Sequence, residues 1–211
     1  LNLSKKEIIN RIKNYDVVII KSTIKIDKEL LENSKKLQVI ARAGTGLDNI
    51  DLKQLKKNKI KLIYTPNLSS ESVADFTLMM ILIGIRNFIP AIDKVKKYDF
   101  RRNLLIGKNI SEVTVGIIGQ GRIGKIVAKR LKFLGVKLYI LDPKIKNGIT
   151  LNKILKKCDI ITFHVPLLKN TKNLITKEKV NKMKDNVILI NTSRANIFKK
   201  NFYKTKKKFT F

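Results

Sequence analysis

The run TVGIIGQGRIGKIVAKRLKFLGVKLYILD, from Thr114 to Asp142, sets three glycines between an apolar pentad and a segment of helical apolar spacing, and ends on an acid. Each position has a chemical reading. Gly119 makes a tight turn, Gly121 lets the backbone approach a pyrophosphate, and Gly124 permits close helix packing, while unpaired N–H groups at the helix start face the phosphates. Asp142 lies 18 residues past Gly124, where a carboxylate accepts hydrogen bonds from the adenosine ribose hydroxyls and repels a 2′-phosphate. That favours NAD over NADP. A glycine turn serving only packing is the competing reading, and the strand before and helix after weigh against it.

Two further stretches end apolar runs in polar residues. RAGTGLDNID (Arg42 to Asp51) puts Gly44 and Gly46 just past a strand, at the edge where open α/β sheets bind ligands. Its backbone amides suit a carboxylate, and an ordinary strand-to-helix turn capped by Asp48 or Asn49 suits the pattern equally. ILINTSRA (Ile188 to Ala195) brings Arg194 to a strand end; a cation there fixes a carboxylate and polarises a carbonyl during hydride transfer, and a surface arginine is the alternative. The only histidine, His164, ends another run, TFHVPL, and reads as a cofactor-wall or core residue rather than an acid–base group. No metal site is expected.

The elements that must position these residues follow from periodicity. Tyr15 to Ile20, Leu37 to Arg42 and Ile60 to Thr65 are apolar runs separated by Lys-rich segments with helical spacing, which predicts parallel strands covered by helices. Residues Ser70 to Lys97 carry one long helical pattern, with Ser69 or Ser70 as N-cap, Glu71 in the first turn and Pro90 as a bend. Strands are expected near Thr114 to Ile118, Lys137 to Leu141, Ile160 to His164 and Val187 to Asn191. The fold class is therefore α/β: a flavodoxin-like parallel-sheet lobe over residues 1–88, incomplete and lacking its first strand, then a Rossmann-type domain over 89–211, incomplete after about residue 195. Beyond that point FKKNFYKTKKKFTF abandons both apolar periods.

Composition narrows the classes. The formal charge is +30, from 46 Lys and Arg against 16 Asp and Glu, a balance that suggests nucleic-acid or anionic-membrane binding. Only eight of the cations are Arg and the lysines are spread evenly, with no groove-entering or basic–aromatic module, so no specific nucleic acid is expected. Phe76 to Ile85 is about half the length of a membrane span, and no span is predicted. The single Cys158 excludes an internal disulfide and fits a reducing, cytoplasmic compartment. The chain starts with Leu and lacks a signal peptide pattern, so the natural start is expected upstream.

Together these stretches resemble the D-isomer-specific 2-hydroxyacid dehydrogenase family, in order and over nearly all of residues 2–195. NLSKKEIINRIKNYDVVIIKSTIKI, LQVIARAGTGLDNID, TPNLSSESVADFTL, GIIGQGRIGKIVAKRL, LDP, CDIITFHVPLLKNTKNLI and LINTSR carry the resemblance. It implies an NAD-dependent oxidoreductase of a small 2-hydroxy acid, and RAGTGLDNID points to members acting on 3-phosphoglycerate in serine synthesis; relatives reduce glyoxylate or hydroxypyruvate. By resemblance Arg122 and Ile123 contact the pyrophosphate, and Thr45, Val165, Thr192 and Ser193 line the NAD cleft. Ala43 and Gly44 offer amides to the substrate carboxylate, Arg42 helps with its phosphate, Lys21 and Ser22 lie nearby, and Arg194 matches the active-site arginine. Family members assemble as dimers or larger through long helices of the NAD domain.

The departures are specific. Lys21 stands where members often carry arginine, keeping the charge without the bidentate fork. In the family a histidine held by a glutamate, both well past the arginine, removes the hydroxyl proton. Here the last glutamate is Glu178 and no histidine follows His164. Ala195 replaces a usual glycine, and the stretch between Asp142 and Cys158 is shorter than the family pattern. Such an abrupt loss resembles a reading-frame shift or a fragment edge; a genuine anion-binding extension is the alternative.

Overall fold

In the first unit the apolar runs fold as parallel strands, each preceded by a short helix with a side-chain N-cap. In the computed structural model, which describes residues 3–145 and 148–211, Ser4 and Glu7 form a reciprocal capping box that starts α1 (Lys5–Ile12). The sequence continues through β1 (Val17–Ile20), α2 (Lys28–Glu32), β2 (Val39–Arg42), α3 (Leu52–Lys57) and β3 (Lys61–Tyr64). The sheet order is β1-β2-β3, all parallel. Alternation puts Val18, Ile20, Ile40, Arg42 and Leu62 on one face, where the aliphatic ones join Ile12, Leu30, Leu31 and Leu55 in a core. The opposite face leaves Val17, Ile19 and Ile63 exposed.

The chain divides into compact units Leu1–Ser69 and Ser70–Phe211, so the long helical segment sits with the second unit, earlier than the division at residue 88 expected from pattern alone. The reason is burial: Ala74, Ile81 and Ile85 of α4 (Ser70–Ile85) pack with Val115, Ile117, Val127 and Leu131. Arg130 clamps the same helix through Glu71 and Asp75, at 2.7 and 2.8 Å. The expected bend also moves. The axis turns by 65° between α4 and α5 (Phe88–Val95), and the break falls at Asn87, whose φ of 50° is left-handed. Pro90 sits in the first turn of α5, where a missing N–H costs no helix bond.

The second unit then runs β4 (Thr114–Ile118), α6 (Arg122–Phe133), β5 (Lys137–Leu141), α7 (Leu151–Lys157), β6 (Ile160–Phe163), α8 (Lys177–Asn181), β7 (Val187–Asn191) and β8 (Phe209–Thr210). The order β5-β4-β6-β7-β8 is parallel throughout. Successive side chains alternate between two cores. Val115, Ile117, Ile160 and Ile190 face α4 and α6, whereas Ile161, Phe163, Val187 and Leu189 face the cluster of Ile154, Leu155 and the C-terminal aromatics. Burial on both faces explains why these strands read as continuous apolar runs.

The C-terminal segment differs most from expectation. Phe198 and Phe202 are buried, Phe198 stacks edge-on to Phe163 at 4.9 Å, and β8 pairs with β7 through Val187 and Phe209. A packed aromatic cluster needs no secondary-structure period, which is why the pattern alone reads as unstructured. Among the described residues no single helix is long and apolar enough to cross a membrane.

Candidate functional site

In the second unit the strand order reverses at β4, which lies between β5 and β6; at such a switch point the loops leave a crevice at the strands' C-terminal ends. The glycine turn sits there. Gly119 has φ +97°, and a Cβ on it would stand 2.6 Å from the His164 carbonyl oxygen and 2.8 Å from Val165 Cγ1. Its N–H donates to the Leu141 carbonyl at 2.8 Å, tying the turn to the next strand. A Cβ on Gly124 would overlap the Gly119 carbonyl oxygen, whereas one on Gly121 meets nothing within 4 Å. Two glycines are thus required by the protein itself, and the third faces open space. Gly121 also caps α6 without offering a side chain, so the first-turn positions Arg122 and Ile123 border that space.

Asp142 closes the turn from the end of β5. One carboxylate oxygen accepts the Lys144 N–H at 2.9 Å and the other the Gln120 N–H at 2.7 Å. These two backbone bonds hold its carboxyl below the ordinary range, against the opposing effect of burial. An ionised acid beside the glycine turn suits a ribose diol.

His164 and Val165 follow β6 on the other side of the turn. The imidazole Nε2 lies 3.0 Å from Thr162 Oγ1, and Nδ1 is buried without a protein partner among the described residues. Burial pushes the ring's pKa down to about 4. The folded value lies below the ordinary 6.5, so the unfolded chain takes up the proton first. The stability held by the neutral ring is therefore complete above pH 6.5 and is lost as pH falls towards 4, up to ~3 kcal/mol. Urea unfolding from pH 7 to 4.5 is expected to show this slope in the parent chain and a shallower one in His164→Gln; coincident slopes would contradict the shielding.

Thr192, Ser193 and Arg194 leave β7 at the same sheet edge. Asn191, which the sequence reading passed over, organises them: its Oδ1 accepts from Ser193 N–H at 3.1 Å and Ser193 Oγ at 2.7 Å, and its Nδ2 donates to the Arg194 carbonyl. An asparagine at a strand end before a polar tripeptide is the signal for such an Asx turn. The Arg194 guanidinium donates to the Ser193 carbonyl at 3.0 Å, and Thr192 Oγ1 lies 3.4 Å from Thr77 Oγ1.

The first unit carries the remaining candidates at the C-terminal ends of β1 and β2. Lys21 and Ser22 are exposed. Thr45 donates to the Thr65 carbonyl at 3.2 Å. Three expectations are corrected. The Ala43 N–H donates to Ile20 O and the Gly44 N–H to Arg42 O, both at 2.9 Å, so neither amide is open to a carboxylate; strand pairing and a tight turn at Gly44, φ +143°, consume them. Arg42 lies on the core face, 6% exposed, with Nη1 donating to the Ala43 carbonyl at 2.5 Å, and is not presented to a phosphate. Finally, Asp51 rather than Asp48 or Asn49 caps α3, accepting from Lys53 and Gln54 N–H. Asn49 instead ties the loop after β1, donating to the Lys21 and Ile24 carbonyls at 3.1 and 2.6 Å.

Comparison with known proteins agrees with this geometry. Residues 78–202, more than half the chain, match the D-isomer specific 2-hydroxyacid dehydrogenase NAD binding domain. The chain is 37% identical over 200 residues to a hydroxypyruvate reductase of Thermotoga maritima, covering 92% of this chain and 65% of that protein. It is 35% identical over 205 residues to a D-3-phosphoglycerate dehydrogenase of Methanocaldococcus jannaschii, covering 92% and 39%. Among solved structures, the D-lactate dehydrogenase from Aquifex aeolicus complexed with NAD and lactic acid superposes with a TM-score of 0.87 at 32% identity, over 92% of this chain and 61% of that one. The chain thus spans about two-fifths to two-thirds of the length of these relatives. The glycine turn, the ionised acid beside it and this match over the second unit lead to one conclusion: the chain belongs to the D-isomer-specific 2-hydroxyacid dehydrogenase family, and its cofactor is NAD.

Proposed function

We propose that this chain serves NAD-dependent hydride transfer at C2 of a small 2-hydroxy acid, with hydroxypyruvate or glyoxylate as the 2-oxo partner. The observation that carries the reading is Gly121 facing open space beside the ionised Asp142. NAD, when bound, takes up or gives the hydride. Gly121 admits the pyrophosphate, Asp142 accepts hydrogen bonds from the ribose hydroxyls and disfavours a 2′-phosphate, and Val165, Thr192 and Ser193 border the crevice. Arg194 pairs with the substrate carboxylate and polarises the carbonyl. In the first unit Lys21 and Ser22 are exposed just past β1 and are proposed to take part in substrate binding.

An unphosphorylated substrate is favoured over 3-phosphoglycerate because Arg42 is turned into the core and Lys21 offers a point charge without a fork. The phosphoglycerate reading, with a role in serine synthesis, keeps the support of the RAGTGLDNID stretch and of the Methanocaldococcus relative. His164 is neutral and turned to Thr162, so it is not read as the acid–base group. A non-catalytic NAD-binding protein is the alternative reading. Homodimers or larger assemblies are proposed through the α4–α5 face, where Phe76, Met79, Phe88 and Ile89 are exposed. A cytoplasmic location fits the single buried Cys158, whose thiol burial pushes up to about 12.

The test is an NADH fluorescence titration with hydroxypyruvate, glyoxylate or 3-phosphohydroxypyruvate added in turn. Saturable NADH binding that exceeds NADPH binding, tightened by hydroxypyruvate or glyoxylate, is expected. No saturation removes the cofactor reading, and tightening by the phosphorylated acid alone reverses the substrate order. Ordinary enzyme rates on 3-phosphoglycerate with NAD would overturn the substrate order.

A further inference from the structure

The segment before β8 builds a second concave surface that the cofactor site does not use. Lys177 and Asn181 of α8, Asp185 before β7, and Thr205, Lys206 and Lys207 before β8 line a cavity of about 540 Å³. No apolar residue is among the six, which include three lysines and one aspartate. Lys207 pairs with Asp185 at 2.9 Å and is the better buried partner, its side chain 20% exposed. Thr205 Oγ1 bonds Asn181 Oδ1 and accepts the Lys207 N–H at 3.2 Å, which fastens the tail to α8 at the cavity. Asp185 and Lys207 precede parallel strands, so the cavity lies at the strands' N-terminal ends. Gly119, Asp142, His164 and Arg194 all follow strands and lie at the opposite edge.

We infer that this cavity binds a small multiply charged oxyanion of the phosphate class, of the size and charge of pyrophosphate. Its volume falls in the small-ligand range. Lysine binds phosphate as a point charge, and three lysines against one aspartate around this open hollow add locally to the attraction for anions that the net charge of +30 gives the whole chain. The Thr205–Asn181 contact and the Lys207–Asp185 pair hold two sides of the cavity in place before a ligand arrives.

The test is calorimetric titration of the whole chain with sodium pyrophosphate at about 0.15 M ionic strength, with and without saturating NADH. One saturable site per chain is expected. The double variant Lys177→Ala, Lys206→Ala is expected to bind at least about tenfold more weakly, as two charge-assisted contacts are lost, with an unchanged unfolding midpoint. Lys35→Ala, Lys36→Ala removes the same charge from exposed positions in the first unit and is expected to leave pyrophosphate affinity unaltered, as is NADH. Absence of saturation, equal weakening by both double variants, or displacement of pyrophosphate by NADH would each overturn the inference.

Discussion

Gly121→Ala is expected to weaken NADH binding by about 10- to 100-fold, the loss of one or two charge-assisted hydrogen bonds, without lowering the unfolding midpoint. The backbone at Gly121, φ −71° and ψ −159°, is one any residue adopts. An added methyl meets nothing of the protein, and alanine loses less chain entropy on folding. Its only obstacle is the phosphate that should lie there. Gly124→Ala is the contrast. Its methyl would overlap the Gly119 carbonyl, so the helix must shift at a cost of about 1–3 kcal/mol, and affinity falls with it. Paired NADH titrations and thermal melts separate the two effects. If Gly121→Ala keeps full affinity, the pyrophosphate does not approach this turn.

Phe198→Ala is expected to cost about 3–5 kcal/mol, a large share of the roughly 5–15 kcal/mol that holds a typical domain together. The ring is 5% exposed and lies between Phe163, Phe202 and Phe211 at 4.9, 4.6 and 4.8 Å. Its neighbours come from a strand and from the tail, so they cannot close over the space together. Tyr203→Ala, at a position 56% exposed, should stay within about 0.5 kcal/mol of the parent chain. Urea unfolding midpoints measure both. A Phe198→Ala loss below about 1 kcal/mol would mean that the tail is not part of the core.

The second unit was the more legible half. Thr114–Ile118, Lys137–Leu141 and Val187–Asn191 form strands over the expected bounds, because a strand buried on both faces is written as an unbroken apolar run. The glycine turn was legible because steric limits at Gly119 and Gly124 admit no side chain. Where partners are distant in sequence, the residue types alone say little. That Asn87 and not Pro90 turns the helix, that Asn191 gathers Ser193 and Arg194, and that the Ala43 and Gly44 amides are already bonded are facts of backbone path. The tail is hard to read for a related reason: its phenylalanines are placed by one another and by Phe163, and no local period records that.

The all-parallel ladders carry a consequence for how the chain reaches this structure. Among the described residues no strand pairs with a neighbour through a hairpin. Val17 meets Val39, Thr114 meets Lys137, Val115 meets Ile160, and Val187 meets Phe209, each across a full crossover. Every ladder must close a long loop before any pairing repays the entropy, which makes such folds slow and leaves strand edges open in the meantime. β4, which pairs on both sides, cannot complete its ladders until Ile160 arrives. Recovery of the native fold should therefore depend on how long Val115 and Ile117 spend uncovered, and dilute, cool refolding should return more of the chain than concentrated, warm refolding.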